Sequence, residues 1–458
     1  MAREPRGPNL VFIFADQMRA QATGYAGDPN VQTPSLDRLR DQSVSFSTAV
    51  SNCPICTPYR ACLLTGQYPL TTGLFMNDLC LSDRATSLAQ AYGAAGYDTA
   101  YVGKWHLDGH GRSRPIPPER RQGFEYWKVL ECTHDYNHSG YYAGDSKQMC
   151  HWEGYDAEAQ TDDAIEYLRR RDGRDAPFAL VLSFGPPHNP YPTAPEEFQR
   201  LYEPADLQLR DNVAADCRER ARADLAGYYA HISALDRCVG RVAAALNELG
   251  LEEDTILVFT SDHGDSVWSQ CDAEVGNINK QRPYDESIRV PFLLRWPGGL
   301  GTSPRTVTAP IATPDIMPTL LELAGLPIPD TVEGLSYAAD LAAGRQPQRE
   351  AVLIAAYSTF SDWRPSRGGR EYRGVRTERY TYAQSLEGPW LLFDNQADPL
   401  QQSNLVGLPE HTAAQRQLVG ALEAILREQG DDFPTAEALR ARYGYRVDSD
   451  SGAIPYTN

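Results

Sequence analysis

The chain has 458 residues, of which 41% are hydrophobic and 23% charged, the composition of a globular protein too long for one ordinary core. Its 43 Lys and Arg against 61 Asp and Glu leave a net charge of −18, which opposes nonspecific association with nucleic acid or anionic membranes, and no basic stripe relieves it. No apolar run approaches the roughly 20 residues of a membrane-spanning helix. The start MAREPRGPNL lacks the apolar stretch of a secretory signal, so the expected compartment of the chain as written is the cytoplasm, or the periplasm or exterior if a signal was removed.

In chain order, the first predicted element is a strand at LVFIFA, which ends on Asp16 and Gln17. CPICTPYRACLLTG comes next, from Cys53 to Gly66. Pro58 suits a first helical turn, ACLL an apolar face and Gly66 a C-terminal cap, so a short helix is expected with Cys56 at its N-terminus and Arg60 one turn on. Further continuous apolar runs are TAYVG before Lys104, FALVLSF before Gly185, TILVFTS before Asp262, and VPFLLRW from Val290. Strands that are apolar throughout are buried on both faces, and the helices between them predict a mainly parallel sheet in an α/β/α sandwich. Helices are expected over roughly 224–250 and from an N-cap at Thr313 to Gly325.

Composition shifts at AAGRQPQRE, residues 342–350, which reads as a linker. It divides the chain into a catalytic domain, 1–345, and a C-terminal subdomain, 346–458. VLIAAYS, YRGVRTERYTYAQS and PWLLFDN predict a short antiparallel sheet in this smaller α+β unit, followed by a helix around HTAAQRQLVGALEAILREQG.

In an open α/β sheet, ligands bind beyond the carboxyl ends of the strands. Asp16 and Gln17, Lys104 and His106, His188, and Asp262 and His263 each follow a predicted strand, so four distant segments deliver polar groups to one edge. A helix N-terminus at Cys56 favours an anion, toward which Arg60 can reach back. The Cys53–Cys56 C-x-x-C pair permits a redox or zinc reading, but a compact redox domain and two further zinc ligands are both missing from the pattern. The nine cysteines are an odd number with no disulfide-scaffold spacing, and free thiols are expected.

CTPYRACLLTG resembles the C-x-P-x-R signature of the type I sulfatases of the alkaline phosphatase superfamily, whose signature cysteine is oxidised to formylglycine. FIFADQMR, GKWHL, PPHNPY, SDHGD and NKQRPYDESIRVPF stand in the order of that family. The resemblance implies an alkaline phosphatase-like fold and a divalent cation, Ca2+ with Mg2+ as the second option, held by Asp16, Gln17, formylglycine at position 56, Asp262 and His263. Gln17 departs from the acidic pair common in the family. Tyr59 and Cys62 also stand where serine is frequent.

Carried onto this chain, the resemblance makes formylglycine 56 the nucleophile and Asp262 its base, with Arg60, Lys104 and Lys280 offsetting sulfate charge. It makes His188 the general acid, with Lys280 as a helper, and His106 the base that releases sulfate. Asp265 reads as structural. The aromatic and His-rich segment ECTHDYNHSGYYAGDSKQMCHWEGYD nominates His134, His138 and His151 as contacts to the organic half of the substrate, and Arg282 joins them. The expected activity is hydrolysis of a sulfate monoester, most simply on a carbohydrate, with small sulfate esters as surrogates. The alternatives are a phosphonate monoester or phosphodiester hydrolase of the same superfamily and a noncatalytic carbohydrate-binding relic. A formylglycine-generating enzyme is the implied maturation partner, and a homo-oligomer is compatible with this reading.

Overall fold

Leu10–Ala15 is apolar at every position, and it forms the strand Asn9–Asp16 in the middle of a ten-stranded sheet. The computed structural model describes residues 7–171 and 176–455. Five strands run parallel at the centre, in the spatial order Thr255–Ser261, Asn9–Asp16, Phe178–Pro187, Asp98–Lys104 and Tyr126–Leu130.

Alternate residues of these strands feed two cores. Leu10, Phe12 and Phe14 join Val258 and Val181 on one face, where Tyr59, Leu63 and Leu64 of the helix Cys56–Thr65 and Ile316, Met317 and Leu320 of the helix Thr313–Leu323 close the layer. Val11, Ile13 and Ala15 join Leu257, Phe259 and Leu180 on the other, against Ala164 and Leu168 of Asp156–Arg169 and Leu235, Val239 and Val242 of Arg218–Glu248. Full burial of each large side chain contributes roughly 1.5–3 kcal/mol. This two-sided burial explains why the strands carry no polar alternation.

The sheet as a whole is mixed. VPFLLRW, expected among the parallel strands, contributes Phe292–Arg295, which runs antiparallel to both Thr255–Ser261 and Val44–Phe46. The chain between Ser261 and Phe292 contains no crossover helix, only a long loop, the single turn Asp285–Ile288 and the two-residue strand Arg289–Val290. It therefore returns from the end at which it left, and an antiparallel neighbour results. At the opposite edge, Gly140–Ala143 also pairs antiparallel, with Tyr126–Leu130.

The helix Cys56–Thr65 closes on Gly66, whose φ of 66° is left-handed and whose N–H reaches Cys62 O. The helix expected over 224–250 starts earlier, at Arg218. Thr313 is the first residue of its helix rather than the cap; Ala312 occupies the cap position, where Asp315 Oδ2 accepts its N–H at 2.9 Å.

Strands Ala351–Ala356, Tyr372–Thr377, Tyr380–Ser385 and Gly388–Asp394 pair in sequence as an antiparallel sheet. Leu418, Leu422 and Leu426 of the helix Thr412–Glu428 cover Leu353, Val375 and Leu392 of that sheet. A further helix, Ala436–Tyr443, lies outside the predicted elements; its Leu439 enters the main core, and Tyr443 Oη donates to Leu70 O at 2.5 Å. All nine cysteines are free thiols. Among the described residues no helix is long and apolar enough to cross a membrane.

Candidate active site

The carboxyl ends of the central strands meet the N-terminus of the signature helix. Asp16 and Lys104 are the last residues of their strands, His188 follows the third, and Asp262 follows the fourth. The Asp98–Lys104 and Phe178–Pro187 strands approach closely here because Gly103, with φ 106°, has no side chain. A Cβ there would stand 2.0 Å from Ser183 O.

Cys56 is the first residue of its helix and is buried. Its Sγ lies 3.6 Å from Asp16 Oδ1, 3.4 Å from His263 Nε2, 3.4 Å from Lys280 Nζ and 3.9 Å from Lys104 Nζ. Burial and Asp16 oppose a thiolate, but Lys104, Lys280 and His263 outweigh them and hold the thiol well below its ordinary range.

Arg60 sits behind the carboxylates. Its guanidinium donates to Asp16 Oδ2 at 3.1 Å, Asp262 Oδ2 at 3.3 Å, Lys104 O at 2.7 Å and Ser183 Oγ at 2.8 Å, and lies over the Phe14 ring. It is outside the pocket lining. Lys104 Nζ donates to Asp16 Oδ2 at 2.5 Å. Burial raises both acids, but Lys104, His188 and Arg60 hold Asp16 well below the usual carboxylate range, whereas Asp262, facing Asp16, is pushed up to about 6.

Asp16, Cys56, Asp262 and His263 each offer one ligand atom, all within 4.8 Å of one another. His263 directs Nδ1 to Gly264 O at 2.9 Å, which leaves Nε2 as its lone-pair donor to the cluster. Gln17 is left-handed at φ 72°, and its N–H donates to Asp262 Oδ1 at 2.9 Å. Its Oε1 is buried with no hydrogen-bond partner. Two carboxylates, an amide oxygen left unpaired and an imidazole nitrogen fit a divalent cation with mainly oxygen ligands. An orphaned buried oxygen is otherwise costly.

His188 stacks on His134 with ring centroids 4.4 Å apart. Burial, Lys280 and His134 hold its pKa well below the ordinary imidazole value, so Nδ1–H donates to Asn189 O at 2.9 Å and Nε2 accepts from Lys280 Nζ at 3.1 Å. The charged proton donor of this pair is Lys280. His106, left-handed at φ 57°, pairs Nε2 with Asp78 Oδ1 at 3.3 Å, and Asp78 is held bidentately by Arg112 at 2.9 Å. Burial disfavours the imidazolium, but Cys132 and Asp78 outweigh it and push the His106 pKa up to about 10. At neutral pH it stands protonated, and it must release that proton before it can serve as a base.

Gln17, Cys56, Lys104, His106, His188 and Lys280 floor a pocket of about 220 Å³ lined also by Asn77, Arg112, His134, Asn189, Asn279, Gln281, Phe360, Ser361 and Asp362. His134 is therefore in the pocket. His138 and His151 are not; they stack on each other at 4.4 Å on an exposed hairpin. Arg282 is buried elsewhere, donating to Ser269 O at 2.7 Å, Gln270 O at 2.8 Å and Ser266 Oγ at 3.0 Å over the Tyr284 ring. Its fork braces the loop that carries Lys280. Sequence reasoning missed Asp78 and Arg112, which a charged pair flanking GKWHL could have suggested. It also missed residues 360–362, which reach the pocket from the C-terminal region without any local signal.

A parallel sheet between helical layers, with carboxylates, a histidine and a helix-start cysteine gathered at its strand ends, defines an alkaline phosphatase-like hydrolase. The chain belongs to the sulfatase family: the Sulfatase family model matches residues 8–326, and the model for the C-terminal part of N-sulphoglucosamine sulphohydrolase matches 273–428. It is a sulfuric ester hydrolase. An ulvan-active sulfatase of Formosa agariphila is 46% identical over 455 residues, covering 99% of this chain and 88% of that protein. An endo-4-O-sulfatase of Bacteroides thetaiotaomicron is 32% identical, covering 97% of each. The crystal structure of a putative sulfatase from Bacteroides fragilis superposes with a TM-score of 0.84 at 29% identity, over 96% of this chain and 99% of that one.

Proposed function

We propose that this chain hydrolyses a sulfate monoester on a carbohydrate, with position 56 as the nucleophile and Ca2+ as the expected cation. The observation that carries the reading is the convergence of Asp16, His263, Lys104 and Lys280 on Cys56 Sγ at a pocket floor. The carbohydrate is supported by relatives named for ulvan activity and endo-4-O-sulfatase action.

Asp16, Gln17, Asp262 and His263, with position 56, would hold the cation, which when bound supplies Lewis acidity toward the sulfate oxygens. Converted to formylglycine by its maturing enzyme, position 56 supplies an aldehyde hydrate, one hydroxyl for attack on sulfur and a second to expel sulfate. Asp262 takes the proton of the attacking hydroxyl. Lys104 and Lys280 offset charge on the sulfate. Lys280, relayed with His188, protonates the leaving oxygen. His106 in its neutral form takes the proton of the second hydroxyl, and Asp78 steadies the resulting imidazolium.

The deciding experiment compares kcat/KM for a sulfate ester, a phosphate monoester and a phosphonate monoester sharing one leaving group, using formylglycine-bearing enzyme. The sulfate is expected to lead; a preference for either phosphorus substrate by orders of magnitude would sink the reading. Calcium binding carries its own pH signature. Below about pH 6 the cation must displace the Asp262 proton, and His263, held above the ordinary imidazole value by Asp262 despite burial, must give up its proton as well, so affinity by calorimetry should rise with pH through neutrality and most steeply below about pH 6. A flat affinity from about pH 4.5 to about pH 7 would remove Asp262 from the site.

A further inference from the structure

Gln17 is where the donor cluster has an amide in place of a second adjacent carboxylate, and a third carboxylate holds that amide by its nitrogen. Gln17 Nε2 donates to Asp265 Oδ2 at 2.8 Å. The same oxygen accepts the Tyr191 hydroxyl proton at 2.6 Å, and Tyr191 Oη in turn accepts from Asn279 Nδ2 at 2.9 Å. Asp265 Oδ1 accepts the Val267 N–H at 3.0 Å. Gln17, Asp265, Tyr191 and Asn279 are all buried.

With Asp265 ionised, the direction of every bond in this chain follows. Tyr191 has one proton and gives it to Asp265, so Asn279 must present its NH2 to the phenol oxygen. Asp265 meets donors at both oxygens, so the face of the Gln17 amide toward it is the NH2. Gln17 Oε1 is then a fully buried polar atom left without a partner. Asn279 precedes Lys280, and its carbonyl accepts the Ser266 N–H at 2.8 Å, next to Asp265.

We propose that Asp265 and Tyr191 are positioning residues for the cation site: they hold the Gln17 carboxamide by its nitrogen, keep Oε1 as a free donor, and tie that setting to the loop that carries Lys280. The inference rests on the proposed function, in which Gln17, Asp16, position 56, Asp262 and His263 hold a divalent cation. Donation from the amide N–H to a carboxylate also raises the electron density on the amide oxygen, which partly offsets the charge lost when glutamine stands in a cation site.

The test is calcium titrated by calorimetry into the formylglycine-bearing wild type and four variants. In Asp265→Asn the single amide oxygen cannot serve both Val267 N–H and Gln17 NH2. Either a donor faces a donor, or Gln17 flips and turns its NH2 to the cation. Affinity should fall about 10- to 100-fold, and Tyr191→Phe, which removes one oxygen and little volume, should lose about tenfold. Gln17→Glu sets two carboxylates against each other and should also bind calcium weakly. Combining it with Asp265→Asn places an amide donor opposite the introduced carboxylate, so the double variant should regain at least about tenfold over either single change. Binding within about twofold of wild type in both Asp265→Asn and Tyr191→Phe would overturn the proposal. So would a loss in Asp265→Asn that the double variant does not recover, because that is the behaviour of a residue that only supports the fold. Wild type that binds no calcium would instead overturn the cation reading itself.

Discussion

Cys56→Ala is expected to lower turnover of every sulfate ester by on the order of 10⁴- to 10⁶-fold, the scale seen when a covalent nucleophile is deleted. Cys56 Sγ lies within 4 Å of Asp16, His263, Lys104 and Lys280 at once. No neighbour can take over attack, because Thr57 points its hydroxyl to His106 O at 2.8 Å. The fold should survive. Cys56 contributes one sulfur to the site wall, alanine suits a first helical position, and the expected stability change is about 1 kcal/mol. Melting curves and calcium titrations would separate loss of chemistry from loss of structure. Residual activity within about tenfold of wild type would remove position 56 from the nucleophile's role. Activity of the wild type should in turn scale with the fraction of position 56 found as formylglycine by mass spectrometry.

The second large effect concerns the leaving group. With Lys280 Nζ 3.1 Å from His188 Nε2 and 3.4 Å from Cys56 Sγ, the ammonium stands between the nucleophile and the imidazole. His188 is neutral, its remaining proton given to Asn189 O, so it cannot be the resting acid by itself. It receives a proton from Lys280 and passes one on, or steadies Lys280 as it donates. His188→Ala and Lys280→Ala should each cost about 10²- to 10⁴-fold with a sugar sulfate, whose alkoxide must be protonated, and far less with a nitrophenyl sulfate, whose leaving group is already stable. Lys280→Ala should raise KM as well, since that ammonium also faces the sulfate position. Equal losses across a leaving-group series would rule the pair out as the acid.

Much of this site was legible because strand ends obey a local rule. LVFIFA, TAYVG, FALVLSF and TILVFTS are apolar throughout because helices cover both faces, and the residues just past each run stand at the binding edge. The same continuity hid the direction of Phe292–Arg295, since an apolar run reads alike whether its neighbour is parallel or antiparallel. Adjacency misled at Lys280 and Arg282. The left-handed backbone of Gln281 between them, at φ 72°, sends Lys280 to the pocket and Arg282 into carbonyls behind it. His138 and His151 were grouped with His134 by composition, but hairpin pairing of Gly140 with His151 carries them off as a pair of their own.

The sequence by itself determined the helix with Cys56 at its start, because Pro58 and Gly66 act within one or two turns, and it determined which residues reach the sheet edge, because burial writes itself into each strand. It could not determine where protons reside. That Lys280 protonates toward His188, and that Asp265 claims the nitrogen of Gln17, depends on partners 92 and 248 positions apart. Only the packed layers bring such partners to hydrogen-bond distance, and in a buried site that distance decides which group is donor, which is acceptor and which oxygen is left for a cation.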